Sequence, residues 1–209
     1  MKIVRRSICK RIPPTFIIIA LNIVAYIYTS AVGGNLVVTD RTAILRYGQV
    51  DYLVANGWYW QLLTSLFVHV DITHLLGNMF FLLIFGLRAE ELFSIQGYLA
   101  IYFSGGLAGN LLTLLFDALL FDLSIISAGA SGAIFGLFGA CSIYIRKTSG
   151  QSIVGALLFS FFLIIMNSGR GVNNLAHLGG LAIGLILGYG LAKRQNQTTT
   201  YEHRYSYDW

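Results

Sequence analysis

The chain has 209 residues, of which 56% are hydrophobic and only 11% charged, with a mean hydropathy of +0.69. Soluble domains carry about twice that share of charge, so the composition excludes an ordinary water-soluble domain and implies an integral membrane protein in contact with the lipid bilayer. The net charge of +5 is no nucleic-acid footprint, because Lys and Arg cluster at the ends of apolar runs, where orientation signals sit.

Residues 1–14 form a basic head carrying Lys2, Arg5, Arg6, Lys10 and Arg11, closed by Pro13 and Pro14. An apolar run from Phe16 to about Val32 follows. A basic head before such a run also describes a signal peptide, but this run is long and the chain keeps returning to apolar segments, so it reads as a first transmembrane helix. Residues 33 to about 70 are broken up by Asp40, Arg41, Arg46, Asp51 and Asn56, yet dense in Tyr47, Tyr52, Trp58, Tyr59 and Trp60. Aromatic rings with polar tips favour the membrane–water boundary, which predicts a long interfacial loop with short helical pieces. A loop of this length is usually functional.

Further spans are expected at about Thr73–Leu87, Gly97–Phe116, Ser131–Ile145, Ser152–Asn167 and Leu175–Leu191. Several fall short of the ~20 residues a lone span needs. The polar stretch 193–209 has no apolar periodicity and reads as a mobile tail. The chain thus divides into the basic head 1–14, a six-helix membrane domain 15–192 and the tail 193–209, without an internal repeat.

Six spans put both termini on one side. Eleven basic residues fall there: Lys2, Arg5, Arg6, Lys10, Arg11, Arg88, Arg146, Lys147, Lys193, Arg194 and Arg204. Only Arg41, Arg46 and Arg170 fall on the other. The basic side is the cytoplasmic one, and the size with no transit-type leader points to a prokaryotic plasma membrane.

The same charges serve as rulers. Ser131 lies fifteen residues from Arg146, His177 sixteen from Lys193, and His74 fourteen from Arg88. At ~1.5 Å per residue these distances are ~22, ~24 and ~21 Å, inside a hydrocarbon core ~30 Å thick. Asn78 shares a helix face with His74 at i,i+4. Polar groups at that depth are costly unless they pair or face water. Gly132, Gly136 and Gly139 give the fourth span a small face. His177, Gly180, Gly184 and Gly188 give the sixth another, and two such faces can pack with backbones close. That packing would bring His177 beside Ser131. A fourth helix starting at Ser131 requires the chain from about Asp122 to Gly129 to descend without helix, buried in protein or lining a wet cavity. Singly, each feature also fits plain helix packing; a serine, a histidine and a His–Asn pair at one depth are far less common. The histidines His69, His74, His177 and His203 make no zincin spacing, and Cys9 and Cys141 make no metal pattern, so neither metal nor other cofactor is expected.

His74-Leu75-Leu76-Gly77-Asn78, Gly129-Ala130-Ser131-Gly132 and Ala176-His177-Leu178-Gly179-Gly180 occur in that order on the second, fourth and sixth spans. In this the chain resembles the rhomboid intramembrane serine proteases of the basic six-span type, from the first span to the sixth. The resemblance implies an all-α polytopic fold with a long first loop and a short fourth helix beginning inside the membrane. It implies Ser131 as nucleophile, His177 as general base, and an oxyanion and substrate-binding site of His74, Asn78, Gly129 and the Ser131 N–H. It implies supporting roles for His69, Phe135 and Gly180, and for Glu90 as a brace of the first-loop region. Two positions depart from the family pattern: Gln61 follows Trp60 where an Arg is frequent, and Phe135 stands where a Tyr often stacks on the base. The substrates implied are transmembrane proteins that unwind locally at small residues. They would enter laterally past the fifth span and a cap at Asp117–Ala128.

Two other functions fit fewer residues. A catalytically inactive rhomboid-like protein that binds membrane clients would lack the serine or the histidine, and both are kept. A transporter using the His–Asn–Ser cluster predicts paired discontinuous helices and usually an internal repeat.

Overall fold

The computed structural model describes residues 12–120, 123, 126–155, 158 and 173–205. Helix α1 (Pro14–Ala31) begins where Pro13 and Pro14 preset the backbone for a first turn. Three short helices punctuate the loop that follows: α2 (Arg41–Tyr47), α3 (Asp51–Ala55) and α4 (Gln61–Thr64), with strand β1 (Gln49–Val50) between the first two. Asp40 starts α2 by accepting the Thr42 and Ala43 N–H groups at 2.9 and 3.1 Å, as an N-cap carboxylate does. Helix α5 (Ile72–Leu92) is capped by Asp71, which accepts the His74 N–H at 2.7 Å. Ser94 caps α6 (Ile95–Leu119) through the Gly97 N–H. Strand β2 (Ile126–Ser127) pairs antiparallel with β1, Gln49 opposite Ser127. Helix α7 (Ser131–Ser149) ends at Gly150 in the left-handed conformation, and α8 (Asn174–Tyr205) closes the described chain.

Among the described residues, four helices are long and apolar enough to cross a bilayer: α1, α5, α6 and the Asn174–Arg194 part of α8. Their outer faces expose large apolar side chains, among them Phe16, Leu21, Val24, Ile27, Leu76, Phe80, Leu115 and Ile186. Apolar patches of that extent mark contact with lipid, and the protein is a multi-pass, largely helical membrane protein. Helix α7 is less apolar because it meets little lipid. Residues Gly132 to Cys141 are buried without a break, enclosed chiefly by α8 and α6 and then by α5.

Lipid offers no hydrophobic drive between helices, so close approach and polar pairing must hold them. A Cβ placed on Gly180, Gly184 or Gly188 would lie 2.0, 2.1 and 2.4 Å from the carbonyl oxygens of Gly132, Gly136 and Ala140. The glycine faces expected on the fourth and sixth spans therefore meet backbone to backbone along α7 and α8.

Several expectations need correction. The last helix runs through Tyr205, so the polar stretch beyond Lys193 continues as helix rather than starting a structureless tail. Helix α6 extends to Leu119, which places Asp117 in the helix and not in the following loop. The expected fifth span lies largely outside the described residues, as do parts of the 117–128 loop. Glu90 braces a different segment from the first loop. It sits near the C-terminal end of α5, where its carboxylate accepts the Thr15 N–H of α1 at 2.7 Å, satisfying a donor that a helix start leaves unpaired.

Candidate active site

Ser131 is the first residue of α7, reached through a turn that only glycine makes comfortably. Gly129 has φ +129° and is held by its N–H donating to the Ser65 carbonyl at 2.9 Å. A Cβ here would lie 2.8 and 2.9 Å from Cε1 and Nε2 of His74 and 3.6 Å from Nδ2 of Asn78. The polar tips on α5 thus crowd against the backbone just before the serine. Asn78 donates one amide N–H to the His74 carbonyl at 3.0 Å. Among the described residues no side chain caps α7, so its first N–H groups have no capping acceptor.

His177 lies in the first turn of α8, one turn after Asn173, whose carbonyl accepts its N–H at 3.4 Å. Its Nε2 is 2.8 Å from Ser131 Oγ. The ring stacks on Phe135 with centroids 4.6 Å apart and planes 20° from parallel. His177 Nδ1 has no hydrogen-bond partner among the described residues, so the stack, rather than a third polar side chain, sets the ring's plane. A serine hydroxyl bonded to an imidazole nitrogen is the geometry that general-base activation needs.

These groups open onto a cavity of about 680 Å³ lined by His74, Asn78, Gly129, Ser131, Phe135, Asn173 and His177. Arg41, Asp71 and Thr73 line it near the start of α5, and Phe81, Phe85 and Phe138 farther along the helices. Gly180 lies deeper, at the α7–α8 contact. His69 is fully buried and packs edge-on against His74 at 5.2 Å. Burial, and secondarily the neighbouring His74, push its pKa down to about 3, so it is a neutral wedge behind His74. No group of His, Cys, Asp and Glu suited to a metal occurs among the described residues.

Some residues of the site were not visible in the sequence. Asn173 Nδ2 donates to Thr113 Oγ1 and Ser127 Oγ, both at 2.7 Å, while its Oδ1 accepts the Ala176 N–H at 3.0 Å. Asn110 donates to Ser65 Oγ and to the Leu62 carbonyl, both at 2.8 Å. Gln61, one of the two departures from the family pattern, is fully buried in the first loop. It accepts the Val50 N–H at 2.9 Å and donates to the Leu45 carbonyl at 2.8 Å, so a neutral amide ties α2, β1 and α4 together.

The Rhomboid domain model matches residues 56–194. The chain is 37% identical over 158 residues to RHOMBOID-like protein 6, mitochondrial, of Arabidopsis thaliana, covering 72% of this chain and 50% of that one. It is 32% identical over 184 residues to YdcA of Bacillus subtilis, covering 85% of this chain and 87% of that one. It is 30% identical over 174 residues to rhomboid protease GluP of the same organism, covering 80% of this chain and 32% of that one. The chain therefore spans about half the plant relative and a third of GluP, but most of YdcA.

Proposed function

This chain belongs to the rhomboid family, and from that premise we propose that it is a serine endopeptidase that cuts membrane-protein substrates within a transmembrane segment near the outer face of the plasma membrane. The observation that carries the reading is the 2.8 Å contact between His177 Nε2 and Ser131 Oγ. In the proposed reaction Ser131 Oγ attacks the scissile carbonyl carbon as Nε2 takes its proton. His177 then returns that proton to the leaving amine, and the acyl group remains on Ser131. A water molecule, deprotonated by the same nitrogen, hydrolyses the ester and restores the serine.

The tetrahedral intermediate carries its negative charge on the former carbonyl oxygen. His74, the free N–H of the Asn78 amide and the Ser131 N–H are the donors proposed to receive it. All are neutral, so none imposes a fixed charge at membrane depth, and the uncapped start of α7 adds the positive end of a helix dipole. Losing one such donor typically costs ~100–1000-fold in rate. A membrane helix offers no exposed peptide bond, so the substrate must unwind locally, which favours small residues near the cut. Both chain termini are assigned to the cytoplasm by the excess of basic residues on that side.

Cleavage of a single-span substrate in liposomes tests the reading, together with labelling by a fluorophosphonate. Both should occur in the wild type and disappear in Ser131→Ala and in His177→Ala. Cleavage that persists in Ser131→Ala would overturn the assignment.

A further inference from the structure

The glycine faces of α7 and α8 bring the two backbones together: at Gly180 and Gly184 the nearest atoms are all α7 backbone, while side chains enter farther from the site, Leu181 against Gly139 and Ile143 against Gly188. Contacts between glycine Cα atoms and carbonyl oxygens, as between Gly180 or Gly184 and α7, have few side-chain knobs to fix how far one helix slides or turns against the other. Yet the Ser131–His177 contact tolerates little displacement, since a shift of about 1 Å can cost ~100-fold in rate. Something at the site's own end of the helix pair has to set the register.

Asn173 is placed to do so. It is the residue just before α8, four positions from His177. Its Oδ1 takes the Ala176 N–H, and its backbone carbonyl takes the N–H of His177 itself. Its Nδ2 spends both N–H bonds on hydroxyls of two other elements: Thr113 on α6 and Ser127 on β2, four residues before Ser131. Thr113 donates its own proton to the Gly109 carbonyl at 3.1 Å, which leaves its oxygen free to accept. A Cβ on Gly109 would lie 2.4 Å from the Ala176 carbonyl, so α6 and the start of α8 touch at the same spot. Ser127 is in turn held to β1 by the β-pair.

We propose that Asn173 is a positioning residue: its side-chain amide locks the strand leading to the nucleophile, helix α6 and the first turn of the base-bearing helix into one register. The inference rests on the protease reading. It separates two roles of one side chain. The Oδ1 cap is ordinary helix stabilisation, which any good N-cap supplies; the two Nδ2 donors carry the positioning.

Asn173→Ser keeps a cap acceptor but has no amide to reach Thr113 and Ser127. Thr113→Val with Ser127→Ala removes the two acceptors and leaves Asn173 intact. For each variant and for the triple substitution, kcat and KM on a single-span substrate in liposomes are measured, with the rate of inactivation by a soluble fluorophosphonate. The expected result is a fall in kcat and in inactivation rate of about 10- to 100-fold in Asn173→Ser, with KM within about twofold. The Thr113/Ser127 pair should lose as much, and the triple variant no more than either, because all three break one network. Wild-type kcat in Asn173→Ser, or losses that multiply in the triple variant, overturns the inference while Ser131-dependent cleavage by the wild type leaves the protease reading standing. Should Asn173→Ser fail to fold, the Thr113/Ser127 pair decides alone, wild-type kcat there being the contrary result. A wild type without Ser131-dependent cleavage overturns both.

Discussion

At the residue scale, the stack of Phe135 on His177 would, in the proposed protease, take over work that a carboxylate performs in a three-residue site. An imidazole with Nε2 on the serine and Nδ1 without a partner among the described residues can rotate about its own χ2 unless a flat surface holds it. Phe135 supplies that surface at 4.6 Å, and a ring hydroxyl is not needed for it. Phe135→Ala should therefore lower kcat by about tenfold or more, in line with the ~0.5–1.5 kcal/mol of an aromatic pair plus lost orientation, while Phe135→Tyr keeps most activity. Steady-state cleavage assays check both. Equal activity of the alanine variant would mean that packing elsewhere fixes the ring. The depth rulers made Ser131, His177, His74 and Asn78 legible before any coordinates, because charged helix ends and a 1.5 Å rise are enough to compare depths. Asn173, Asn110 and Ser127 were not legible. Each is a single polar residue, Asn173 and Ser127 at an element's edge and Asn110 inside α6, and its partners lie 45 to 60 positions away, beyond any local pattern.

At the element scale, the α7–α8 contact is the steepest constraint in the fold. Gly184→Ala would set a methyl 2.1 Å from the Gly136 carbonyl oxygen, a distance that backbone must yield to. The helices would separate, and overpacking of this kind costs about 1–3 kcal/mol or more. Gly190 lies on the same helix with no described residue within 4 Å of where its Cβ would be. Gly190→Ala should leave activity unchanged and raise stability by about 0.5–1 kcal/mol, since Gly is the costlier residue in a helix interior. Thermal unfolding of the two variants in the same detergent should give midpoints that move in opposite directions. Parallel shifts would show that α8 responds to alanine through helix propensity alone. These small-residue stripes were readable from spacing, whereas the β1–β2 pair was not, because two residues carry no period. The helical stretch past Lys193 was missed for a related reason: without an apolar stripe a helix gives no periodic signal.

At the scale of the whole molecule, a buried polar chain joins the first loop to the helix bundle. Gln49, fully buried, donates to Asp51 Oδ1 at 2.6 Å and to the Asn110 carbonyl at 3.0 Å. Asn110 reaches Ser65, and the Ser65 carbonyl holds Gly129. At the far end the Asp51 carboxyl meets that of Asp117 on α6, and each keeps an Oδ2 with no other partner among the described residues. Burial above all raises the Asp51 pKa to about 7; the Gln49 bond opposes this and the Asp117 carboxyl adds to it. Two such carboxyls hold together only while a proton lies between them. In the unfolded chain Asp51 titrates near its ordinary value of 3.8, so between there and about 7 the folded state binds the extra proton. Stability from this group is fully present below pH ~4 and is lost as pH rises through about 7. Asp51→Asn replaces the shared proton with an N–H that can donate to Asp117 at any pH and keeps an oxygen for Gln49. The stability of the wild type relative to Asp51→Asn should therefore fall as pH rises from about 4 to 7, by at most ~1.4 kcal/mol per pH unit, and level off above. His69 gives a slope of the opposite sign, because its lowered pKa makes the folded state bind fewer protons than the unfolded chain; His69 is common to both proteins and cancels in the difference. Paired thermal or denaturant unfolding across pH 4 to 8 measures it. A difference that does not change with pH would mean that the two carboxyls share no proton, and that the loop is held to α6 by Gln49 and the β-pair alone.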